Sequence, residues 1–346
     1  MTLSTKAAVL RELGSPLDIV SLEIPPLQAG QVLVEVHYAG LCHSQLNEIL
    51  GKKGEDKYLP HVLGHEGSGV VLECGENVRE VSEGDHVVMS WINSSGMNVS
   101  GPIYKDSYGI VNSGPVSTFL EKAIISENKL VKIPKNFPLK EAALLGCAIP
   151  TGGGIILNVL KPAISDTICI IGVGGIGLSA VMIAKSSGVK KILVLDVSDE
   201  KIDTALSLGA TAGFNVLSGN PIEFINNQTD NIGVDFCVES AGQKDSMELA
   251  FIITKKTGKC VLAGNLPKGD VISIDPMDLI QGKSLLGSAG GDSILSKDIP
   301  LYTKWFEEGR LELNRMITNV YSLDEINIAF EELLQGKVAR NLISFR

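Results

Sequence analysis

Two stretches of this 346-residue chain carry residues whose types and spacing could do chemistry. The first is Gly172-Val173-Gly174-Gly175-Ile176-Gly177, which matches G-x-G-x-x-G. Alone the pattern is weak in a chain with 37 glycines. Its surroundings make it specific: an apolar run, 167–171, precedes it, a helical pattern opens at Ile176, and a second apolar run ends at Asp196. Asp196 lies 24 residues after Gly172 and 19 after Gly177, close to the ~20 that separates a phosphate-binding turn from its ribose-binding acid. Gly172 permits the tight turn, Gly174 lets backbone approach a pyrophosphate, and Gly177 lets helix pack on strand. The helix start supplies free N–H groups and partial positive charge. Asp196 can accept both adenosine ribose hydroxyls and repels a 2′-phosphate, so NAD is expected over NADP. A flavin site, or a fold kept without a nucleotide, is the alternative. The second stretch is PHVLGHEGSGVV, where His65 and Glu66 stand side by side among glycines and valines. A buried sheet does not normally place an imidazole beside a carboxylate without a partner for them.

The elements that must position these groups change character along the chain. Residues 1–150 hold β-branched runs broken by Gly, Pro and Asp, among them QVLVEVHYAG, GSGVVLECG and GDHVVMSW, which predict a mainly antiparallel β domain, rolled or barrel-like. From 151 strands and helices alternate, and residues 151–288 predict a doubly wound parallel sheet of the Rossmann type. Residues 289–346 contain amphipathic stretches, LYTKWFEEG and INIAFEELLQG, then a strand-like NLISF, and are expected to return to the first domain. The fold class is therefore α/β. Hydrophobic residues make up 44% and charged residues 20%, as in a well-packed globular enzyme. The net charge of −10, with no basic run, argues against nucleic acid as a partner. No apolar run reaches membrane-spanning length and the N-terminus lacks a signal-peptide core, so a cytoplasmic location with no membrane partner is expected. The six cysteines are scattered, and metal ligation, nucleophilic chemistry or core packing suit them better than disulfides.

GHEGSGVVLECGENV fits G-H-E-x2-G-x5-G-x2-V through Gly64, His65, Glu66, Gly69, Gly75 and Val78. With GLCHSQ upstream and LLGCAIPTGGG downstream, the sequence resembles the zinc-containing alcohol dehydrogenases of the medium-chain dehydrogenase/reductase superfamily, over essentially the whole chain. The resemblance implies a GroES-like catalytic domain beside the Rossmann domain. It implies one catalytic Zn2+ held by Cys42, His65 and Cys147, with the fourth position open for water or substrate. The spacings, 22 and 81 intervening residues, do not show this by themselves, and singly these residues would pass for core thiols and a core histidine. Glu66 is implied to lie beside the metal and exchange with it, or to be a structural carboxylate. Ser44 matches the hydroxyl that bonds the substrate oxygen and passes its proton on. Thr151 matches a support for the nicotinamide face. His43 and Arg340 match basic contacts to the pyrophosphate, against surface charge as the alternative. Lys201 is placed like a lysine at the adenine ribose, or is a helix-surface lysine. Trp91 falls where the family has a pocket-lining aromatic, or is a core tryptophan. The remaining cysteines, Cys74, Cys169, Cys237 and Cys260, read as core.

The implied reaction is hydride transfer between a small primary or secondary alcohol, or its carbonyl, and NAD. A polyol, sugar-alcohol or amino-sugar substrate is the alternative within the family, and a non-catalytic nucleotide sensor the alternative outside it. The family associates through the edge of its nucleotide-domain sheet, implying a homodimer or homotetramer. Three departures from its pattern stand out. The segment NSSGMNVSGPIYKDSYGIVNSG has no cysteine where relatives often carry four, so no structural zinc is expected and the segment is predicted to be a long loop. Gln45 replaces the usual aspartate, and its amide oxygen is expected to orient the zinc histidine without negative charge, making the metal more electrophilic or less firmly held. Asn47 stands where several relatives end their proton relay with histidine, so the relay is expected to finish in cofactor ribose and water.

Overall fold

The computed structural model describes residues 3–336 and 338–346; Lys337, within the family-like GKVARNLISF ending, lies outside them. The chain forms two compact units. The first comprises 1–147, 294–305 and 313–346, the second 148–293 and 306–312, so the boundaries fall a few residues from those expected and one short segment rejoins the second unit.

In the first unit, strands Ser4–Leu10, Asp18–Glu23, Tyr104–Asp106, Gly109–Ser113 and His61–Val62 close into a barrel. Ala7, Ala8, Val9 and Leu10 are fully buried, and Val32, Val34 and Leu22 join them in one core. A second, seven-stranded sheet runs Leu130–Ile133, His86–Ser90, Glu66–Cys74, Gln31–Gly40, Arg340–Ser344 and Ile317–Ser322, with Lys122–Ser126 also pairing on Gln31–Gly40. Its pairs are antiparallel except Ile317–Ser322 on Arg340–Ser344. Two register shifts between Gln31–Gly40 and Glu66–Cys74 bend this pair, and the second, at Val36/Tyr38 opposite Gly69 and Ser68, lies a few residues from both Cys42 and His65.

The cysteine-free segment is not the long loop expected. Tyr104–Asp106 and Gly109–Ser113 form a hairpin within it and take part in the barrel. Residues ahead of the hairpin are fastened by Glu127, which is 1% exposed. Its carboxylate accepts N–H bonds from Arg79, from Glu80 (2.8 Å) and from Met97 (2.7 Å).

In the second unit six parallel strands lie in the order Ala212–Asn215, Lys191–Asp196, Thr167–Ile171, Val234–Glu239, Thr254–Leu262, Ser284–Gly287. The order reverses beside Thr167–Ile171, the first strand of the unit, as in a doubly wound nucleotide fold. Helices Gly175–Ser186, Asp199–Leu208, Pro221–Gln228 and Lys244–Ile253 provide the crossovers. Asn220 caps the third of these and Pro221 occupies its first turn, where a missing N–H costs nothing. Cys169, Cys237 and Cys260 lie in register on three adjacent strands, all fully buried, and Cys74 is partly buried. Among the described residues no single helix is long and apolar enough to cross a membrane.

Candidate metal centre and dinucleotide cradle

Cys42, His65 and Cys147 converge in the first unit, their sulfur and ring-nitrogen atoms all within 4.8 Å of one another. Each sits where local structure changes. Cys42 is extended at the N-cap of the helix His43–Ile49. His65 follows Gly64, whose φ of +103° suits glycine and whose missing Cβ leaves room for Thr118. Cys147 ends the 3-10 turn Ala143–Gly146. Donors around one tetrahedral zinc would stand roughly 3.5–3.8 Å apart, so this set fits such an ion, and two sulfurs with one imidazole are donors zinc favours. The thiols are coupled. A hydrogen bond with Cys147 pulls Cys42 well below the ordinary thiol value, with burial opposing and His65 and Arg340 assisting. The same bond, with burial, pushes Cys147 up. Two sulfurs that already compete for one proton are a place where a cation can replace it.

Behind the donors lies a buried ion pair. Glu66 is fully buried; its Oε1 lies 3.2 Å from Nη1 of Arg340, which donates to the Leu41 carbonyl at 2.7 Å. An ideal Cβ on Gly40 would come within 2.5 Å of Glu66 Oε1, so glycine there makes the space for the carboxylate. Arg340 is 3% exposed, which removes the surface-charge alternative and leaves little face for the expected pyrophosphate contact. Burial works against its charge, but Glu66 and then the two thiols raise its affinity for the proton above the ordinary arginine value.

Gln45 also departs from expectation. Its amide oxygen accepts the Cys42 N–H at 2.8 Å, closing the first helical turn, while Nε2 is buried without a partner. It braces the first donor through the backbone and makes no hydrogen bond to His65. Ser44 is half-buried in the same turn, His43 is exposed, and Asn47 is half-buried. Trp91 is 37% exposed, not a core tryptophan, and its indole N–H points at Cys147 Sγ, 3.3 Å away. No sequence signal announced that contact. A second group with ligand-type atoms within 4.8 Å, Glu48, Asp56 and His61, is occupied by its own ion pairs: Asp56 lies 2.8 Å from His61 and Lys53 2.9 Å from Glu48.

In the second unit the glycine turn takes its expected shape. Gly172 has φ +84°, and a Cβ there would come within 2.7 Å of Ala241 N. A Cβ on Gly177 would collide with the Gly172 carbonyl, while Gly174 faces open space. Gly174 is the N-cap of Gly175–Ser186, so Gly175 and Ile176 open that helix with no acidic side chain in its first turn. Asp196 ends its strand and is already engaged. Oδ2 accepts from Val173 N–H (2.7 Å), and Oδ1 accepts from Val197 (2.8 Å) and Ser198 (3.1 Å). A carboxylate has about four acceptor sites, so about one remains, where the sequence expectation gave it both ribose hydroxyls. Lys201 is half-buried in the first turn of the next helix, its backbone N–H donating to the Ser198 cap. Thr151 is 5% exposed and its hydroxyl has no hydrogen-bond partner.

Residues 28–135 match the model of the alcohol dehydrogenase GroES-like domain, and residues 175–308 that of the zinc-binding dehydrogenase domain. Alcohol dehydrogenase 2 of Zea mays is 32% identical over 97% of this chain and 96% of its own length. S-(hydroxymethyl)glutathione dehydrogenase of Synechocystis sp. is 30% identical over 99% of this chain and all of its own. Among solved structures, benzyl alcohol dehydrogenase from Acinetobacter calcoaceticus superposes with a TM-score of 0.91 at 31% identity, covering 99% of this chain and 100% of the other. With the donor set and the glycine turn both in place, the chain belongs to the zinc-containing alcohol dehydrogenases of the medium-chain dehydrogenase/reductase superfamily, oxidoreductases that use zinc and a nicotinamide dinucleotide.

Proposed function

We propose that this enzyme transfers hydride between a small primary or secondary alcohol, or its aldehyde or ketone, and NAD, with one zinc per chain. The observation that carries the reading is the convergence of Cys42, His65 and Cys147 within 4.8 Å from three distant parts of the chain. A zinc ion bound there supplies Lewis acidity, polarising a carbonyl or making a hydroxyl more acidic. The chain's own residues do the rest. Ser44 accepts the proton from the substrate hydroxyl and hands it on. Asn47 cannot take a proton near neutral pH, so the transfer ends in ribose hydroxyls and water. Thr151 offers its unpaired buried hydroxyl toward the nicotinamide end of the cofactor. Gly174, Gly175, Ile176 and Gly177 receive the pyrophosphate on backbone N–H groups, while Gly172, whose own N–H is donated to the Leu195 carbonyl at 2.8 Å, makes the turn. Lys201 adds positive charge along the cofactor and His43 a ring N–H. The Asp196 side chain at the strand end disfavours a 2′-phosphate and so favours NAD.

The single-zinc reading is supported by Glu127, whose carboxylate ties Met97, in the segment where relatives often carry a second metal, to the same anchor as Arg79 and Glu80. Assembly as a homodimer or homotetramer is supported by the edge strand Ser284–Gly287 and the exposed Met277 and Ile280 that precede it. Zinc analysis on protein purified without chelator, followed on the same sample by NADH formation across alcohols, polyols and sugar alcohols, tests the function. We expect about one zinc per chain and turnover of simple alcohols. Zinc-loaded protein that forms no NADH with any of them would instead be a nucleotide-binding sensor.

A further inference from the structure

Trp91 touches two of the three donors at once. Its backbone N–H donates to the His65 carbonyl at 3.0 Å, and its indole Nε1–H donates to Cys147 Sγ at 3.3 Å. The residue is held from behind: Lys129 Nζ donates to the Trp91 carbonyl at 2.6 Å and to Asn93 Oδ1 at 2.6 Å. One residue earlier, Ser90 Oγ donates to the carbonyl of Gly146, directly before Cys147, at 2.5 Å. The end of the strand His86–Ser90 is thus tied to both sides of the donor set. The residue is 37% exposed, so burial alone does not dictate where its N–H points. Of aromatic side chains, only indole and imidazole carry a ring N–H, and phenylalanine would keep a flat apolar ring there, smaller than indole, without one.

We propose that Trp91 is a positioning residue of the metal centre: its indole N–H orients the Cys147 sulfur and draws charge from it, so that the bound cation keeps more of its positive charge for the substrate oxygen. Groups that hydrogen-bond to a metal's ligands fix ligand direction and tune how much charge reaches the ion. The proposal rests on the reading of Cys147 as a ligand and goes beyond the pocket-wall role that the residue's position suggested.

The test compares cobalt(II)-substituted wild-type enzyme with W91F. With a thiolate on the cobalt, the wild type shows sulfur-to-cobalt charge-transfer absorption. Removing the N–H raises the energy of the sulfur lone pair, so in W91F that band moves to longer wavelength. The zinc form of W91F loses about tenfold in kcat, the low end of what such partners contribute, with little change in KM. A measurement without substitution accompanies it. In wild-type enzyme loaded with the spin-active isotope of cadmium, one of the two indole protons, that of Trp91 rather than Trp305, shows scalar coupling to the metal through the sulfur. An unmoved cobalt band, or an indole proton uncoupled from cadmium, overturns the role of Trp91 while leaving the ligand set intact. Absence of any thiolate band in the wild type overturns the ligand reading itself, and this proposal with it.

Discussion

The proposed dinucleotide cradle is drawn from 30 consecutive residues, Gly172 to Lys201, whereas the three proposed metal donors come from positions 42, 65 and 147. The cradle is one turn, one helix, the strand after it and the first turn of the next helix, and its recognition groups are mostly backbone. The metal centre needs a helix cap, a strand entrance and a 3-10 turn brought together by a curved sheet, and its working atoms are all side chains. A local site can be argued from spacing, because geometry along one supersecondary unit is fixed by the chain. A dispersed site is fixed by tertiary packing, so its parts fail separately and its supports lie far away in sequence.

Substitutions can break this contrast or sharpen it. Cys147→Ser should have the largest effect: it removes a soft donor and with it Lewis acidity worth several kcal/mol, so kcat/KM should fall by about 10³-fold. Metal content should fall too, while NAD binding, measured by calorimetry, stays near wild type. Gly172→Ala is the mirror experiment. The φ of +84° and the contact with Ala241 should cost about 2–3 kcal/mol, seen as roughly 30- to 150-fold weaker NAD binding with zinc content unchanged. If either substitution damages both sites equally, the two are not independent and the contrast fails.

Glu127→Gln probes the support of the cysteine-free segment. Replacing a carboxylate that accepts three backbone N–H bonds should cost about 1.5–2 kcal/mol in unfolding free energy, read by denaturant titration. Burial opposes ionisation of Glu127, but the N–H groups of Arg79, Met97 and Glu80 outweigh it and hold its carboxyl below the ordinary value. A depressed carboxyl stabilises the fold fully above the unfolded value of ~4.3, and that stabilisation is lost as pH falls through the lower folded value. The gap between wild type and E127Q should therefore close in strong acid and stay constant near neutrality. Asp196→Ala should have the smallest effect: about 1 kcal/mol in NAD affinity from the lost contacts to Val173, Val197 and ribose, with the NAD-to-NADP preference narrowed by about tenfold.

The same contrast explains what was legible in the sequence. The alternation of strands and helices, the glycine turn and the terminal acid of the second unit followed from periodicity and spacing because each is a short-range property. The proposed metal donors were legible only through resemblance to a family, since no rule of spacing links positions separated by 22 and 81 intervening residues. The hairpin Tyr104–Asp106 with Gly109–Ser113 was read as loop because its strands are short and each buries one large side chain, Tyr104 and Val111. Tyr108 is 84% and Ile110 57% exposed, so too few alternating positions mark it in a polar, Gly/Ser/Asn-rich stretch. Gln45 was assigned to the wrong neighbour: a side chain three residues into a helix can reach back to the cap N–H, and here that local bond captured the amide oxygen. The bond between Trp91 and Cys147 spans 56 residues and depends on how the strand His86–Ser90 meets the turn at Gly146.

The row formed by Cys169, Cys237 and Cys260 equips the second unit with an internal clock. These thiols meet a water-soluble alkylating reagent only when the sheet opens, because each lies on a central strand with no exposed surface. Their labelling rate, resolved by mass spectrometry from that of the half-exposed Cys74, measures the opening free energy of the nucleotide-binding unit under native conditions, and the slowing of that rate on adding NAD reports how strongly the cofactor holds the unit shut.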